Sequence, residues 1–529
     1  MALWAPSPVQ NPIRPMRRHR PWIIAASAVI VAVAIGLCLV AENWPYRYRK
    51  IRPLLEGVFG SQVAVARYRR TYFPNPGFIA TDVSIRRKSA PLQPPIGTVQ
   101  TLFVQGHWID LLMMRERVQL VDMTGVHLVI PAPGSRASQE DFPAGSPMDF
   151  TGPDTLIERL EIHNSSIDVL RTNGKRFSFP VRQLHVENMQ KGRTMRFAVD
   201  MDNAVPYGHI QATGRFGPLN GKSLGATPVS GQFKFDQVRL HDVGNIRGTL
   251  SSSGHFTGQL GKLPAEAEAA IPDFAVSDGK PTEVAGMVQC TVNALDGNVV
   301  FHSIELKTGA TRVDATGSVV GPPKTTDLDI LVTDGRAQDL LGPFLHGDVP
   351  VTGPVRLHAH AYLAPSGDTV GFFERLHVIG AFEVPAERLT DQTEETSLAA
   401  FSERAQGKHA DDSPKRNGKP AANADAISSL QGPATIRDAV VTTHNLKFQV
   451  AGARATLDGT FNLHTCAAHL VGKVAMQSNI SHATTGFKSF LLKPLAPFFK
   501  KKKAGAVIPI AVTGTPGHYR VTQDLTHTK

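Results

Sequence analysis

The stretch "MRFAVDMD", Met195–Asp202, alternates apolar and polar side chains with a period of two. Successive side chains of an extended strand point to opposite faces, so this pattern predicts a β-strand with one apolar and one polar face. The residues that share the apolar face are Met195, Phe197, Val199 and Met201.

The same alternation recurs along the chain. In "GQFKFDQVRL" Phe233 and Phe235 share a face, and in "NLKFQV" Leu446, Phe448 and Val450 do so. Turn sequences such as "ATGRFGPLNG" and "TLDGTFNLH" separate these runs at short intervals. Such spacing is typical of antiparallel meanders and predicts a mainly β protein.

The chain is long enough for an elongated sheet. Its 529 residues are 42% hydrophobic and 19% charged, which excludes a disordered chain. Roughly 450 ordered residues at about 14 per strand and turn would give about 30 strands, and one continuous curved sheet would be ~150 Å long. The stretches that predict short helices beside it are few: "YRYRKIRPLLEGVFG", "HWIDLLMMRERV" and "LAAFSERAQG". The apolar face must therefore close on itself, as in sandwiches or barrels, or bind a ligand.

An uncharged stretch near the amino terminus, Trp22–Val40, is as long as the hydrocarbon core of a bilayer. A cleavable signal peptide is the alternative, but the stretch is long for the apolar part of one, so we expect an uncleaved transmembrane helix. Basic residues flank both ends of this stretch. A short basic amino tail normally stays in the cytoplasm, which predicts that the body lies outside the cytoplasm.

Two segments interrupt the strand pattern. Pro131–Pro153 is rich in proline, glycine and serine, and Lys408–Asp425 is polar and predicted to be disordered. The predicted organisation is a cytoplasmic basic tail (1–21), an anchor (22–41), an amino-terminal module (42–131), a linker (132–153), a β-rich central region (154–386), a short helix with a disordered loop (387–428) and a carboxy-terminal β region (429–529).

A formal net charge of +11 indicates an anionic partner. The basic residues are dispersed and aromatic residues make up only 7%, which favours a lipid surface over nucleic acid. The three cysteines, Cys38, Cys290 and Cys466, form no CxxC pair. This excludes a disulfide framework or a cysteine-based zinc site.

The sequence contains none of the common catalytic motifs: no HExxH, no GxSxG and no Walker loop. His358 and His360 share one strand face, as do Asp327 and Asp329, but no third metal ligand accompanies either pair. We therefore predict no metal, no cofactor and no catalytic residue. A hydrolase of envelope polymers would need a cluster of carboxylates that the sequence does not reveal.

"FKSFLLKPLAPFFKKKK", Phe487–Lys503, combines an apolar segment with a basic cluster, which is the pair of signals that membrane contact needs. The alternative is a hairpin excursion whose rings plug the end of the sheet and whose lysines are solvated. The candidate residues for membrane contact or for gating a groove are Phe490, Leu491, Leu492, Phe498, Phe499, Lys500, Lys501, Lys502 and Lys503.

Both ends of the chain resemble one family. The segments "IRPLLEGVFGSQVAV", "TYFPNPGFIATDVSIRR" and "QTLFVQGHWIDLLMMRERVQLVDMTGVHLVIP" follow the predicted anchor, and "IPIAVTGT" closes the last region. In this order they resemble the AsmA-like proteins of bacteria with two membranes. The resemblance implies a grooved β-sheet in the periplasm, tethered to the inner membrane, with a role in phospholipid movement toward the outer membrane. It implies no catalytic residues.

These observations together predict a periplasmic, inner-membrane-anchored protein that binds phospholipid along a hydrophobic groove. The groove candidates are Met195, Phe197, Val199, Met201, Phe233, Phe235, Leu446, Phe448 and Val450. The alternative is an assembly factor whose sheet edges engage outer-membrane protein precursors by strand addition. An open apolar face favours lipid, and a closed face with free edges favours protein.

Overall fold

The computed structural model describes residues 46–59, 62–86, 95–113, 115, 117–130, 155–170, 176–220, 223–243, 246–321, 323–347, 349, 351–365, 371–389, 402, 428–476, 507–515 and 519–523. Five predicted features lie largely or wholly outside these residues: the anchor 22–41, the linker 132–153, the short helix in "LAAFSERAQG", the polar segment 408–425 and the segment Phe487–Lys503. Among the residues described, no helix has the length and apolar character needed to cross a bilayer.

The described helices are short. They are α1 (Tyr48–Phe59), α2 (Trp108–Leu112), α3 (Ala337–Leu341) and α4 (Phe372–Arg375). The first two coincide with the first two predicted helices, but α2 ends early. From Arg117 the chain forms a strand instead, in which Val118 and Leu120 share one face and Val121 and Met123 share the other.

The strands are β1 (Gln62–Thr71), β2 (Gly77–Arg86), β3 (Gly97–Gln105), β4 (Arg117–Ile130), β5 (Leu156–Leu170), β6 (Arg176–Met189), β7 (Met195–Asn203), β8 (Gly208–Phe216), β9 (Pro228–Arg239), β10 (Ile246–Arg247), β11 (Thr249–Gln259), β12 (Leu263–Val276), β13 (Thr282–Asn293), β14 (Asn298–Thr308), β15 (Thr311–Val320), β16 (Thr325–Arg336), β17 (Val351–Thr352), β18 (Pro354–Leu363), β19 (Leu376–Leu389), β20 (Ser428–Arg437), β21 (Val440–Val450), β22 (Ala453–Asn462), β23 (Ala468–Met476), β24 (Val507–Gly514) and β25 (Arg520–Gln523).

All of these strands belong to one 25-stranded sheet. Strands adjacent in the chain are antiparallel neighbours, with two exceptions: β4 and β5 are parallel, and the two-residue strands β10 and β17 pair with β12 and β19, so that β9 pairs with β11 and β16 with β18. The sheet is long, curved and open. The prediction of a mainly β protein with a long, curved antiparallel sheet and few short helices is therefore confirmed.

Among the described strands, β4 and β5 form the one parallel pair, with Val121 beside Leu160 and Ile130 beside Val169. Because β4 and β5 run in the same direction, the chain must pass from the end of β4 back to the level at which β4 began before β5 can start. The connection between Ile130 and Leu156 is long enough for this. The predicted amino-terminal module and central region thus share one uninterrupted sheet.

Buried apolar clusters lie toward the two ends of the sheet. At the amino end, Ile51 and Leu55 of α1 pack over Val63, Phe78 and neighbouring residues of β1–β4. At the carboxy end, a cluster is built from β21–β24, including Leu457 and Ile510. Smaller clusters surround Val276 and Val355. The long stretch of sheet between the ends contains no comparable cluster among the residues described.

An ion cluster ties β4, β5 and β6 together on the polar face of the sheet. The Asp168 carboxylate is 4% exposed and accepts hydrogen bonds from His127 Nε2 at 2.8 Å and Arg176 Nη1 at 3.3 Å. Burial raises the pKa of Asp168, but hydrogen bonds from Ser178 and His127 and the charge of Arg176 outweigh it and lower the pKa. The cluster therefore stabilises the parallel pair while Asp168 is ionised.

We expect Asp168→Asn to destabilise β4–β6 by about 2 kcal/mol, because an amide replaces a buried carboxylate that accepts charge-assisted hydrogen bonds. Amide hydrogen exchange in these strands measures the loss. The wild-type contribution should be complete above about pH 4, the usual carboxyl pKa, and should be lost as the pH falls through the lowered pKa. The control is Asp314→Asn, which removes a solvent-exposed pair with Arg312 and should cost under ~1 kcal/mol. Equal effects of the two changes would contradict the role of Asp168.

Candidate functional site

One apolar row crosses the sheet at matched register. Cross-strand pairing joins each residue to the next without interruption, and every member is apolar or glycine. From β4 to β16 the row consists of Met123, Ile162, Leu184, Val199, Ala212, Phe233, Gly254, Ala267, Val288, Ile304, Ala315 and Ile330. At ~4.8 Å between neighbouring strands, this row is roughly 50 Å long.

A second row lies on each side of the first and on the same face. One row consists of Val186, Phe197, Gly214, Gly231, Phe256, Ala265, Cys290, Phe301, Gly317 and Leu328. The other consists of Met201, Ile210, Phe235, Ser252, Ala269, Gly286, Leu306 and Val313, in which Ser252 is the single hydroxyl. We refer to the three rows together as the lane.

The middle of the lane is not covered by other parts of the described chain. Every residue of the first row from Met123 to Ile330 is partly exposed, neither buried nor fully open. In β11, β13, β14 and β15, which are described throughout, no apolar side chain is buried. The described part contains no second sheet packed on this face. The predicted alternative of closed sandwiches is therefore not the arrangement that the described strands adopt.

Phenylalanine rings of the lane lie opposite glycines. The cross-strand partners are Phe197 with Gly214, Gly231 with Phe256, Phe233 with Gly254, and Phe301 with Gly317. A Cβ placed on Gly231 would overlap the carbonyl oxygen of Thr213 and would lie 2.9 Å from the Phe256 ring. Glycine thus permits the close approach of neighbouring backbones in this curved sheet, and at Gly231 and Gly214 the opposing ring lies next to the glycine.

The opposite face of the same strands is polar. The row next to the first lane row consists of Glu161, His185, Ala198, Thr213, Gln232, His255, Glu266 and Gln289. Ion pairs cover this face, such as His185 Nδ1 with Glu161 Oε1 at 2.7 Å. Exposed apolar side chains on this face, such as Met287, Val300 and Leu331, lie among polar neighbours, so the lane is the continuous apolar surface of these strands.

The groove candidates predicted from the sequence fall into two groups. Phe197, Val199, Met201, Phe233 and Phe235 lie in the lane and are partly exposed. Met195 shares their face but is only 1% exposed, at the edge of the lane. At the carboxy end, Leu446 and Val450 are buried in the terminal cluster, and Phe448 packs against it.

The paired histidines and aspartates lie on the polar face. His360 Nδ1 is 3.0 Å from Asp329 Oδ1, and its Nε2 is 3.5 Å from Asp327 Oδ2. The hydrogen bond to Asp329 and the charge of Asp327 raise the pKa of His360. His360, Asp327 and Asp329 thus act as ion-pair partners, and within the described segments no group of three or more His, Cys, Asp or Glu side chains is placed so that it could hold a metal ion.

One charged cluster was not predicted from the sequence. Arg182 Nη2 donates to both carboxylate oxygens of Asp202, at 2.7 and 2.9 Å, and its Nη1 donates to Asp200 at 3.0 Å. His209 Nδ1 lies 3.2 Å from Asp202 Oδ1. Both carboxylates thus pair with a permanent cation. Burial raises the pKa of Asp200, but the hydrogen bonds that Asp200 accepts from Arg182 and Gln211 outweigh burial and lower the pKa.

Sequence reasoning also missed lane residues of β13 and β14, notably Val288, Ile304 and Leu306. The alternation in "MVQC" and in "SIELK" is the signal that could have identified them. The gate candidates Phe490, Leu491, Leu492, Phe498, Phe499 and Lys500–Lys503 lie outside the described residues.

Comparison of the chain with families of proteins, with curated proteins and with solved structures returns no match.

Proposed function

We propose that this protein binds phospholipid acyl chains in the lane and moves them along it between the inner and outer membranes. The observation that carries the proposal is the unbroken, uncovered apolar row from Met123 to Ile330. Monomeric proteins rarely expose a contiguous apolar surface of this extent without a ligand or partner. An acyl chain that lies in the lane gains about 0.8 kcal/mol for each buried methylene.

The length and polarity of the lane support movement rather than storage of a single lipid. A bilayer core of about 30 Å contains two layers of acyl chains, so one chain needs only about 15 Å of an available length of roughly 50 Å. None of the three rows of the lane contains a charged side chain that would hold a head group at one position. The proposed role is binding and transfer without a chemical step.

The proposed location rests on the sequence. The apolar stretch Trp22–Val40 would anchor the protein in the inner membrane, with the body in the periplasm, as the resemblance to AsmA-like proteins implies. The net charge of +11 suits anionic head groups. Lys500–Lys503 and the neighbouring phenylalanines remain candidates for contact with a membrane at the far end.

The alternative function, capture of outer-membrane protein precursors by strand addition, requires a free sheet edge. In the described part, β1 pairs with β2 alone. Its exposed residues include Arg67, Arg69 and Arg70, and charged side chains on an edge strand disfavour pairing with another chain. The uncovered lane therefore supports lipid over protein as the ligand.

The test is photo-crosslinking in cells that contain labelled phospholipid. A photoreactive amino acid at Phe197 or Phe235 should form adducts with lipid, because both side chains lie in the lane. The matched controls are probes at Arg196 and Lys234, which neighbour these residues on the polar face and are exposed. Adducts to protein alone from the lane positions, or equal lipid adducts from both faces, would overturn the proposal.

A further inference from the structure

Six large apolar side chains are exposed together at one long edge of the sheet. They come from the turn between β1 and β2 and from α2 with the residue after it, which the register of β2 and β3 brings to the same edge. We refer to them as the apolar rim: Tyr72 (49% exposed), Phe73 (90%), Trp108 (36%), Ile109 (59%), Leu112 (70%) and Met113 (55%).

The rim is one ordered surface. Trp108 Nε1 donates a hydrogen bond to the carbonyl oxygen of Pro74 at 3.1 Å, and Gly106 N donates to that of Pro76 at 2.8 Å. These bonds fix α2 against the turn that carries Phe73. The six side chains thus form a patch of adjacent residues, unlike the single exposed apolar residues that are normal on any protein surface.

Helix α2 has inverted polarity. Its carboxylate, Asp110, is only 4% exposed and lies 3.9 Å from Arg115, whereas Ile109 and Leu112 point outward. A helix on a water-exposed surface directs its apolar side chains inward and its charges outward. The inverted arrangement suits an apolar environment outside the protein.

The path of the chain identifies that environment. The predicted transmembrane span ends at residue 41, and five residues can extend at most about 18 Å, so Tyr46 must lie within that distance of the membrane surface. Tyr46 lies beside the rim, since its hydroxyl occupies the space next to Gly106, where a Cβ would overlap it. The rim is therefore held close to the bilayer that the span would cross.

The composition of the rim also fits a lipid interface. Tryptophan and tyrosine are enriched at the boundary between head groups and acyl chains, because one end of each ring system is polar. Basic residues precede and follow the rim in the chain, with Arg69 and Arg70 before Tyr72, and Arg115 and Arg117 after Met113. Phosphate head groups provide the complementary charge.

We propose that the apolar rim inserts into the interface of the anchoring bilayer and holds the amino-terminal end of the sheet, and with it the start of the lane, against the lipid surface. This inference rests on the membrane anchor of the proposed function. It does not require that lipid occupies the lane.

The test uses the full chain in which Cys38→Ser, Cys290→Ala and Cys466→Ser leave no native thiol. Single cysteines introduced by Phe73→Cys or Leu112→Cys are labelled with an environment-sensitive fluorophore. The protein is reconstituted into vesicles of phosphatidylethanolamine with a minority of phosphatidylglycerol. The matched control is Leu295→Cys, which is 54% exposed in the turn between β13 and β14, many strands from the rim.

We expect blue-shifted emission and quenching by acyl-chain nitroxides for labels at Phe73 and Leu112, and neither effect at Leu295. The inference is overturned if aqueous iodide quenches the rim labels as readily as the Leu295 label. It is also overturned if neither quencher reaches the rim labels, because protein would then cover the rim. Protein that fails to float with the vesicles overturns the anchor and the rim together. If the rim labels enter the bilayer but the probes in the lane form no lipid adducts, only the proposal that the lane binds lipid is overturned.

Discussion

Phe233→Glu should reduce phospholipid crosslinking from neighbouring lane positions by at least tenfold. Phe233 lies in the first lane row, between Ala212 of β8 and Gly254 of β11. Neither neighbour can pair with a carboxylate, and no basic side chain belongs to the three rows. An acyl chain beside this position would bury an unpaired charge, which costs several kcal/mol, whereas a tenfold loss of binding requires only about 1.4 kcal/mol.

The effect should extend beyond the substituted position. A lipid that moves along the lane must pass every strand in turn, since the polar face offers no parallel route. A photoreactive probe at Phe197 or Phe235 therefore measures the block in cells, with the yield of lipid adduct normalised to the amount of protein. Purified protein should also carry less bound phospholipid, as measured by mass spectrometry.

The matched control for this change is Gln232→Glu. Gln232 is the preceding residue of β9, is exposed and points to the polar face, so this substitution adds the same charge to the same strand. We expect its lipid adducts to remain at the wild-type level. Wild-type lipid yields for Phe233→Glu, with the protein folded, would show that the lane does not conduct lipid.

The strand content and the face of each strand follow from the sequence alone. Period-two alternation places Phe197, Phe233 and Leu446 on the apolar face, and the short turns favour a meander of neighbouring strands. These are local properties, which a stretch of about ten residues specifies by its own pattern. The helices over Ile51 and after His107 are predictable for the same reason.

The openness of the lane is not a local property. Leu446 and Phe233 have the same alternating environment in the sequence, yet one lies in a buried cluster and the other in the uncovered lane. The difference depends on which segments pack over each strand, and the pattern of a single strand contains no information about them. The parallel pair of β4 and β5 is another non-local feature, because a long connection is compatible with either direction of return.

The pairing of phenylalanine with glycine also depends on register. In the sequence alone, Gly231 indicates a turn or a destabilised position within a strand. Its role in curvature is evident only from its cross-strand partners, Phe256 and Gly214. A shift of one residue in either strand would place these side chains on opposite faces. The composition of the lane thus becomes visible only when the register is known.

Gly231→Ala should lower the stability of β8, β9 and β11 by about 3 kcal/mol, because the added methyl group overlaps backbone that cannot yield without separating the strands. The atoms that it would meet are the carbonyl oxygen of Thr213, the Phe256 ring at 2.9 Å and Gly214 Cα at 3.1 Å. Relief of this overlap requires β8 and β9 to move apart, which flattens the sheet at the middle of the lane. Reduced protection in amide hydrogen exchange should therefore be confined to these strands.

The control for the glycine substitution is Gly342→Ala, since a Cβ on Gly342 has no heavy atom within 4 Å and its φ of −51° suits alanine. That variant should exchange like the wild type. Because Gly231→Ala introduces no charge, a loss of lipid adducts from the probe at Phe235 in this variant would show that the lane depends on the curvature of the sheet as well as on its apolar surface. If Gly231→Ala leaves the exchange of β8, β9 and β11 unchanged, close approach at the glycines is not what curves the sheet.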